Sequence, residues 1–304
     1  MASASPDPTP PISRRAEEYA LESARPQTFA RLTWRKLRRH RLAIVSLVFI
    51  TVVSILAVFA PLISRYSYAT IGFTPLEPPS WQHFMGTDSL GRDLWSRVVY
   101  GARISLAVGI GSQMIAAGIG IPLGALAGFQ GGRVDSILMR ATDIVLTLPT
   151  ILLALLFLTV YGTSTFVVML AIGLATWPVI ARIIRSQVLQ LKEQQFVEAA
   201  YSVGCSRRRV LLRHILPGVW GPVIVQVTFG VSQAIFTEAF LSFIGLGPQP
   251  PIPSWGRLLV DGFEYIRTSA YLAIFPCIAI TLTILAFNFL GDGLRDALDP
   301  HTTP

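Results

Sequence analysis

The chain has 304 residues, 52% of them hydrophobic and only 14% charged, with a net charge of +8. A soluble globular domain carries about 25% charged residues, so this composition excludes an ordinary soluble protein. The cations sit between long apolar runs rather than on one broad face, which argues against a nucleic-acid partner. The two cysteines, Cys205 in a basic loop and Cys277 in an apolar run, make no disulfide framework.

Met1 to about Thr28 is rich in Pro, Ser, Ala and charge, without a sustained period, and is expected to be a disordered tail. Leu42–Ile63 follows as 22 residues without a charge, flanked by Arg38, Arg39, His40 and Arg41 before it and Arg65 after. That length crosses ~30 Å of hydrocarbon as a helix. About forty residues precede it, too many for the basic region of a signal peptide, so an uncleaved span is expected. Further apolar blocks run over Ile104–Phe129, Ile137–Tyr161, Thr165–Ile184, Val219–Ile244 and Ala270–Leu290. They are helix-sized and lack the ~10-residue alternation of an outer-membrane barrel. The expected fold is an all-α membrane protein of about six transmembrane helices. It divides into a tail (1–28), a first helix with an outer loop (29–103), a transmembrane core (104–290) that carries an inner loop (185–217), and a second tail (291–304).

Orientation follows from the cations. Nineteen fall on the side of the two tails, the Arg133/Arg140 connection and the Arg182–Arg213 stretch, against six on the other side. The positive-inside rule then places both termini in the cytoplasm. Gly120, Gly124 and Gly128 form a small-residue stripe on the second span, suited either to packing within the chain or to a dimer seam. Pro122, Pro149, Pro178 and Pro276 lie within or at the ends of spans, where proline frees backbone carbonyls and kinks a helix.

No enzymatic constellation is visible. Neither lysine, Lys36 nor Lys192, follows a glycine, so there is no phosphate-binding GxxxxGK[ST] loop and any ATP use belongs to another chain. The four histidines are dispersed and no CxxC, HExxH or GxSxG pattern occurs, so neither a metal site nor a catalytic residue is expected. Asp143 and Glu238 are the carboxylates inside spans. Asp143 is expected to pair with Arg140 one turn away or to snorkel. Glu238, toward the outer end of the fifth span, is expected either to line a pathway or to join helices by hydrogen bonds, since an ionised group facing lipid costs about 2.5–3.5 kcal/mol.

The inner loop is polar enough to leave the bilayer and patterned enough to fold. Phe196, Ala199, Ala200 and Val203 recur at three- and four-residue spacing and predict a short amphipathic helix, ended by Gly204 in a left-handed cap. Ser206 is expected to cap a second helix whose apolar face is Val210, Leu211 and Ile215, before Pro217 starts the next span. A helix–glycine–helix element of this kind fits a groove on a soluble partner. The competing reading lays it on the lipid, with Arg207, Arg208, Arg209 and Arg213 at the headgroups.

Four segments carry a resemblance. Glu198-Ala199-Ala200, Gly204 and Leu216-Pro217 resemble the EAA loop of ABC-importer permeases, with His214 where the general motif is apolar. Gly86 to Asp93, Glu238 to Gly247 followed by Gln249, Pro250 and Ser254-Trp255-Gly256, and Asn288 to Pro300 are similar to the dipeptide/oligopeptide/nickel branch, in particular to the second permease of its usual pair. The resemblance implies a type I ABC-importer permease bundle in a prokaryotic plasma membrane. It also implies a homologous sister permease, cytoplasmic ABC ATPases that hold the ATP and Mg, and an extracellular solute-binding protein. No cofactor is implied on this chain. Glu198, Ala199, Ala200, Gly204, Arg207, Arg208, Leu216 and Pro217 would form the ATPase-coupling loop. In the outer loop, Gly86, Asp88, Arg92 and Asp93 would either touch the binding protein or form a structural turn, Asp88 capping and Arg92 pairing locally. The alternative class is a self-sufficient secondary transporter or channel.

Overall fold

A computed structural model describes residues 29–298, so the expected tail 1–28 and the last residues of the tail 291–304 lie outside the described residues. Among those described, regular structure is helical, apart from a single β-bridge between Thr87 and Asp93. The helices are α1 (Phe29–Leu37), α2 (Arg41–Val58), α3 (Ala60–Ile63), α4 (Leu94–Gln130), α5 (Gly132–Thr147), α6 (Thr150–Tyr161), α7 (Thr165–Lys192), α8 (Gln195–Ser202), α9 (Arg207–Val210), α10 (Leu216–Phe243), α11 (Trp255–Phe263) and α12 (Tyr271–Leu298). Five continuous helices are long and apolar enough to cross a membrane, and the bent pair α5–α6 passes the same test when its halves are taken together, as a broken span or a re-entrant loop.

The expected single span Ile137–Tyr161 is therefore broken, with its halves at 84°. Pro149 is the cause: its ring disfavours helical backbone at the preceding residue, and Leu148 is extended (φ −84°, ψ 129°). The first span is shorter than the apolar block Leu42–Ile63: α2 stops at Val58, Phe59 leaves the helical conformation, and α3 resumes over Ala60–Ile63. Other spans extend beyond their apolar cores. α4 begins at Leu94, ten residues before the apolar block, because Asp93 caps it by accepting from Ser96 N, and the boundary expected at 103 falls inside this helix. α12 continues through the first eight residues of the expected inner tail, as far as Leu298. α1, a short helix before the first span, rests against the end of α12, where Leu37 joins Ala297 and Ala43 of α2 in one small cluster.

The most extensive helix packing joins α4 to α7. Gly120 meets the Trp177 carbonyl and Ile180, and Gly128 meets the Arg185 carbonyl and Val188, so contacts advance along both helices together and the pair runs parallel. The glycine stripe thus serves packing within the chain, the backbones approaching as small residues allow in lipid. Three apolar clusters fill the bundle. One joins Leu94, Val98, Leu106, Ile235, Trp255 and Leu272 near the start of α4. A second holds α6 against α7 through Leu158, Val168 and Ile172. The third joins Ile184, Val188 and Val219 to the inner loop.

Candidate coupling site and outer charge cluster

The inner loop folds as α8, a turn, and α9. Gly204 has φ +83°, Cys205 N donates to the Ala200 carbonyl (3.0 Å), and Gly204 N donates to the Tyr201 carbonyl (2.9 Å). Those two bonds make a Schellman cap, which satisfies carbonyls that the helix end would leave unpaired. Ser206 stands at the N-cap of α9 with extended backbone, but its side chain makes no capping bond; its carbonyl starts the helix by accepting from Val210 N (3.0 Å).

The apolar residues of α8 divide between two faces instead of forming the one expected. Val197 and Ala200 are buried and join Ile184, Val188, Val210, Ile215 and Val219, fastening the element to the bundle. Phe196 (45% exposed), Ala199 and Val203 (80% exposed) point away from it. Glu198, Arg207 and Arg208 are also exposed and make no ion pair among the described residues. The result is an apolar prominence with an unpaired charged rim, fixed from behind by buried side chains.

Pro217 does not begin a new span. Arg207–Phe243 is one helix of 37 residues, containing a π-helical stretch at Leu211–Ile215 in which Leu216 N donates to the Leu211 carbonyl. Proline cannot donate at position 217, and a wider turn just before it absorbs the misfit.

Asp143 does not pair with Arg140. Its partner is Arg182 on α7, in a contact more than half exposed on both sides. One turn further along, Arg185 grips Asp135 bidentately (Nε to Oδ1 2.5 Å, Nη2 to Oδ2 2.6 Å). Two arginines of α7 therefore clasp α5.

At the other end of the bundle, Gly86–Asp93 is a buried structural turn. Asp88 Oδ1 accepts from the backbone N–H groups of Leu90 and Arg92 (2.9 Å each), and Oδ2 accepts from Arg92 Nε (2.7 Å) and Arg97 Nη1 (2.5 Å). Arg97 also lies 3.5 Å from Asp261, which pairs with Arg257 at 3.1 Å. Asp93 Oδ1 is 2.8 Å from His83 Nδ1. Gly86 (φ +81°) and Gly91 (φ +68°) take backbone conformations that other residues resist, and a Cβ on Gly91 would stand 2.1 Å from the Phe73 carbonyl oxygen. These side chains are spent on one another, and the loop instead exposes Trp81 (90%) and Phe84 (55%). The sequence reading missed Arg97 and Asp261. The i,i+4 spacing of Arg257 and Asp261, and an arginine at the head of an apolar helix, were the available signals.

Glu238 is fully buried and joins helices. It accepts from Ser242 Oγ (2.8 Å) and from Ser105 Oγ of α4 (3.2 Å), and Ser105 Oγ accepts in turn from Trp255 N (3.1 Å). Among the described residues no cluster of His, Cys, Asp or Glu could hold a metal ion.

The helical bundle thus carries an exposed prominence at one end and a closed charge cluster at the other. Residues 120–304 match the family described as "Binding-protein-dependent transport system inner membrane component", and residues 28–79 match the "N-terminal TM domain of oligopeptide transport permease C". The chain belongs to this family of importer permeases and is a multi-pass plasma-membrane protein. It is 42% identical over 266 residues (87% of each chain) to the "Oligopeptide transport system permease protein OppC" of Bacillus subtilis (strain 168). It is 44% identical over 269 residues (88% of this chain, 89% of the relative) to the "Glutathione transport system permease protein GsiD" of Escherichia coli O6:K15:H31 (strain 536 / UPEC). Among solved structures, the permease fold recurs in an inward-facing conformation of the MetNI methionine ABC transporter, with a TM-score of 0.55, 19% identity, and coverage of 68% of this chain and 98% of that one.

Proposed function

We propose that this chain is one of two homologous permeases lining the pore of an importer of short peptides or a related small solute such as a nickel complex. Separate ATPase subunits drive it and an external binding protein feeds it. The observation that carries the reading is the inner prominence. Phe196, Ala199 and Val203 stand free beside unpaired Glu198, Arg207 and Arg208, while Val197 and Ala200 hold the element to the bundle. An apolar knob with a charged rim seats in a groove on a soluble subunit, its charges steering the approach. The substrate class rests on the names of relatives at 42–44% identity, which are oligopeptide and glutathione permeases.

With the nineteen-cation side in the cytoplasm, α8 and α9 face the ATPases and the Gly86–Asp93 turn faces the binding protein. Closure of the ATPases pulls the two coupling loops together and switches the spans between inward and outward openings. ATP and Mg are held by the ATPases, and this chain contributes the path and the lever.

The test is a mild-detergent pull-down of the tagged chain from its native membrane, with ATPase activity measured on the same sample. Recovery of a sister permease together with ATP-binding subunits is expected. A reproducible homo-oligomer that transports without them would instead establish a self-sufficient transporter.

A further inference from the structure

Half-way along the spans lies an open cleft of about 830 Å³, bordered by α4, α7, α10, α12 and the Leu148–Pro149 break. Gln113, Gln226, Gln233 and Asn288 place four side-chain amides in its wall, beside Thr176 and Thr237. No Asp, Glu, Lys, Arg or His lines it among the described residues. Gln113 is 2% exposed, and Gly230 leaves room for it: a Cβ there would stand 2.1 Å from Gln113 Oε1. Of the four amides, only that of Asn288 has a side-chain partner, Ser232 Oγ, which donates to its Oδ1 at 2.7 Å. The amides of Gln113, Gln226 and Gln233 make no hydrogen bond within the described residues.

Unpaired amides at the centre of a membrane protein are costly unless they meet water or a passing polar group. The break in α5–α6 points the same way. Non-helical backbone at membrane depth persists where it is covered by protein or borders a wet cavity, and Pro149 and Thr150 lie on this cleft. Phe229 and Phe236 supply apolar surface between the amides.

We infer that this cleft is the chain's wall of the solute path, and that it engages the solute through neutral amide-to-amide hydrogen bonds that ignore the charge of the solute's side chains. The inference rests on the peptide reading above. Each glutamine offers one acceptor and two donors, the complement of a peptide backbone unit, whereas a fixed charge in the wall would retain one class of peptide and repel another.

The experiment uses the whole importer in proteoliposomes, with the binding protein saturated in turn with the tripeptides Ala-Lys-Ala and Ala-Asp-Ala. Gln233→Glu should raise the ratio of cationic to anionic uptake about fivefold over wild type, and Gln233→Lys should lower it by a similar factor. Both variants importing at the wild-type ratio would overturn the inference. If neither variant assembles, Gln226→Cys decides. A water-soluble charged thiol reagent should label the introduced thiol and halt uptake, and a thiol that stays unlabelled during turnover overturns the inference equally. A wild-type importer that hydrolyses ATP yet takes up neither tripeptide refutes the peptide reading itself, and the inference with it.

Discussion

The carbonyl oxygen of Ala181 lies 2.3 Å from where a Cβ on Gly124 would stand. The backbones of α4 and α7 touch there, and a side chain has no room between them. Gly118 on the same helix has nothing within 4 Å of its would-be Cβ. Gly124→Val is expected to prise the pair apart and cost about 3 kcal/mol, while Gly118→Ala costs little. Thermal unfolding of the two variants in one detergent checks the contrast, and equal melting temperatures would contradict the seam.

Gly204 tests the inner loop differently. Its would-be Cβ meets open space, so only its φ of +83° resists substitution. Asn tolerates this region and a larger side chain does not, so Gly204→Asn should be mild and Gly204→Leu should cost about 1–2 kcal/mol in the turn. Membrane insertion stays intact in both, and co-purification of the ATPase falls in the order Gly, Asn, Leu. Equal recovery across the series would exclude a role for the turn in docking.

Removing Asp88 leaves Arg97 buried with only the more distant Asp261 at 3.5 Å. Taking one partner from a buried ion pair costs about 3–5 kcal/mol, so Asp88→Ala should unlock the segment from Tyr66 to Asp93. Limited proteolysis from the side that carries this loop reads this as faster cleavage in that segment. Cleavage at the wild-type rate would show the cluster to be dispensable.

The two clasps on α5 should differ in strength. Asp143→Ala breaks an exposed pair and costs about 0–1 kcal/mol, whereas Asp135→Ala breaks a bidentate, half-buried one and costs about 2 kcal/mol. Paired melting curves give the ranking, and the reverse order would contradict the geometry.

Hydropathy located every span, because apolar length is a local property of sequence, and the left-handed turn was legible because glycine marks it. Hydropathy could not reveal the 84° break, since Leu148 and Pro149 interrupt the backbone without interrupting the apolar run. Sequence neighbourhood pairs Asp143 with Arg140 on its own helix, while its partner Arg182 lies 39 residues away and is brought alongside by the packing of α5 on α7. The two-sided character of α8 was hidden for a related reason. Spacing groups Phe196, Ala199, Ala200 and Val203 together, and only the position of Ile184 and Val188 behind the helix decides which of them turn inward.

The unbroken course from Arg207 to Phe243 makes the docking element and a cleft-lining helix a single rod, about 55 Å long at 1.5 Å per residue. A tilt imposed at Arg207 would travel along one backbone toward Gln226 and Gln233. The wide turn at Leu211–Ile215 and Pro222 inside the helix are the places where that rod can yield, so their stiffness would set how much of a stroke arrives.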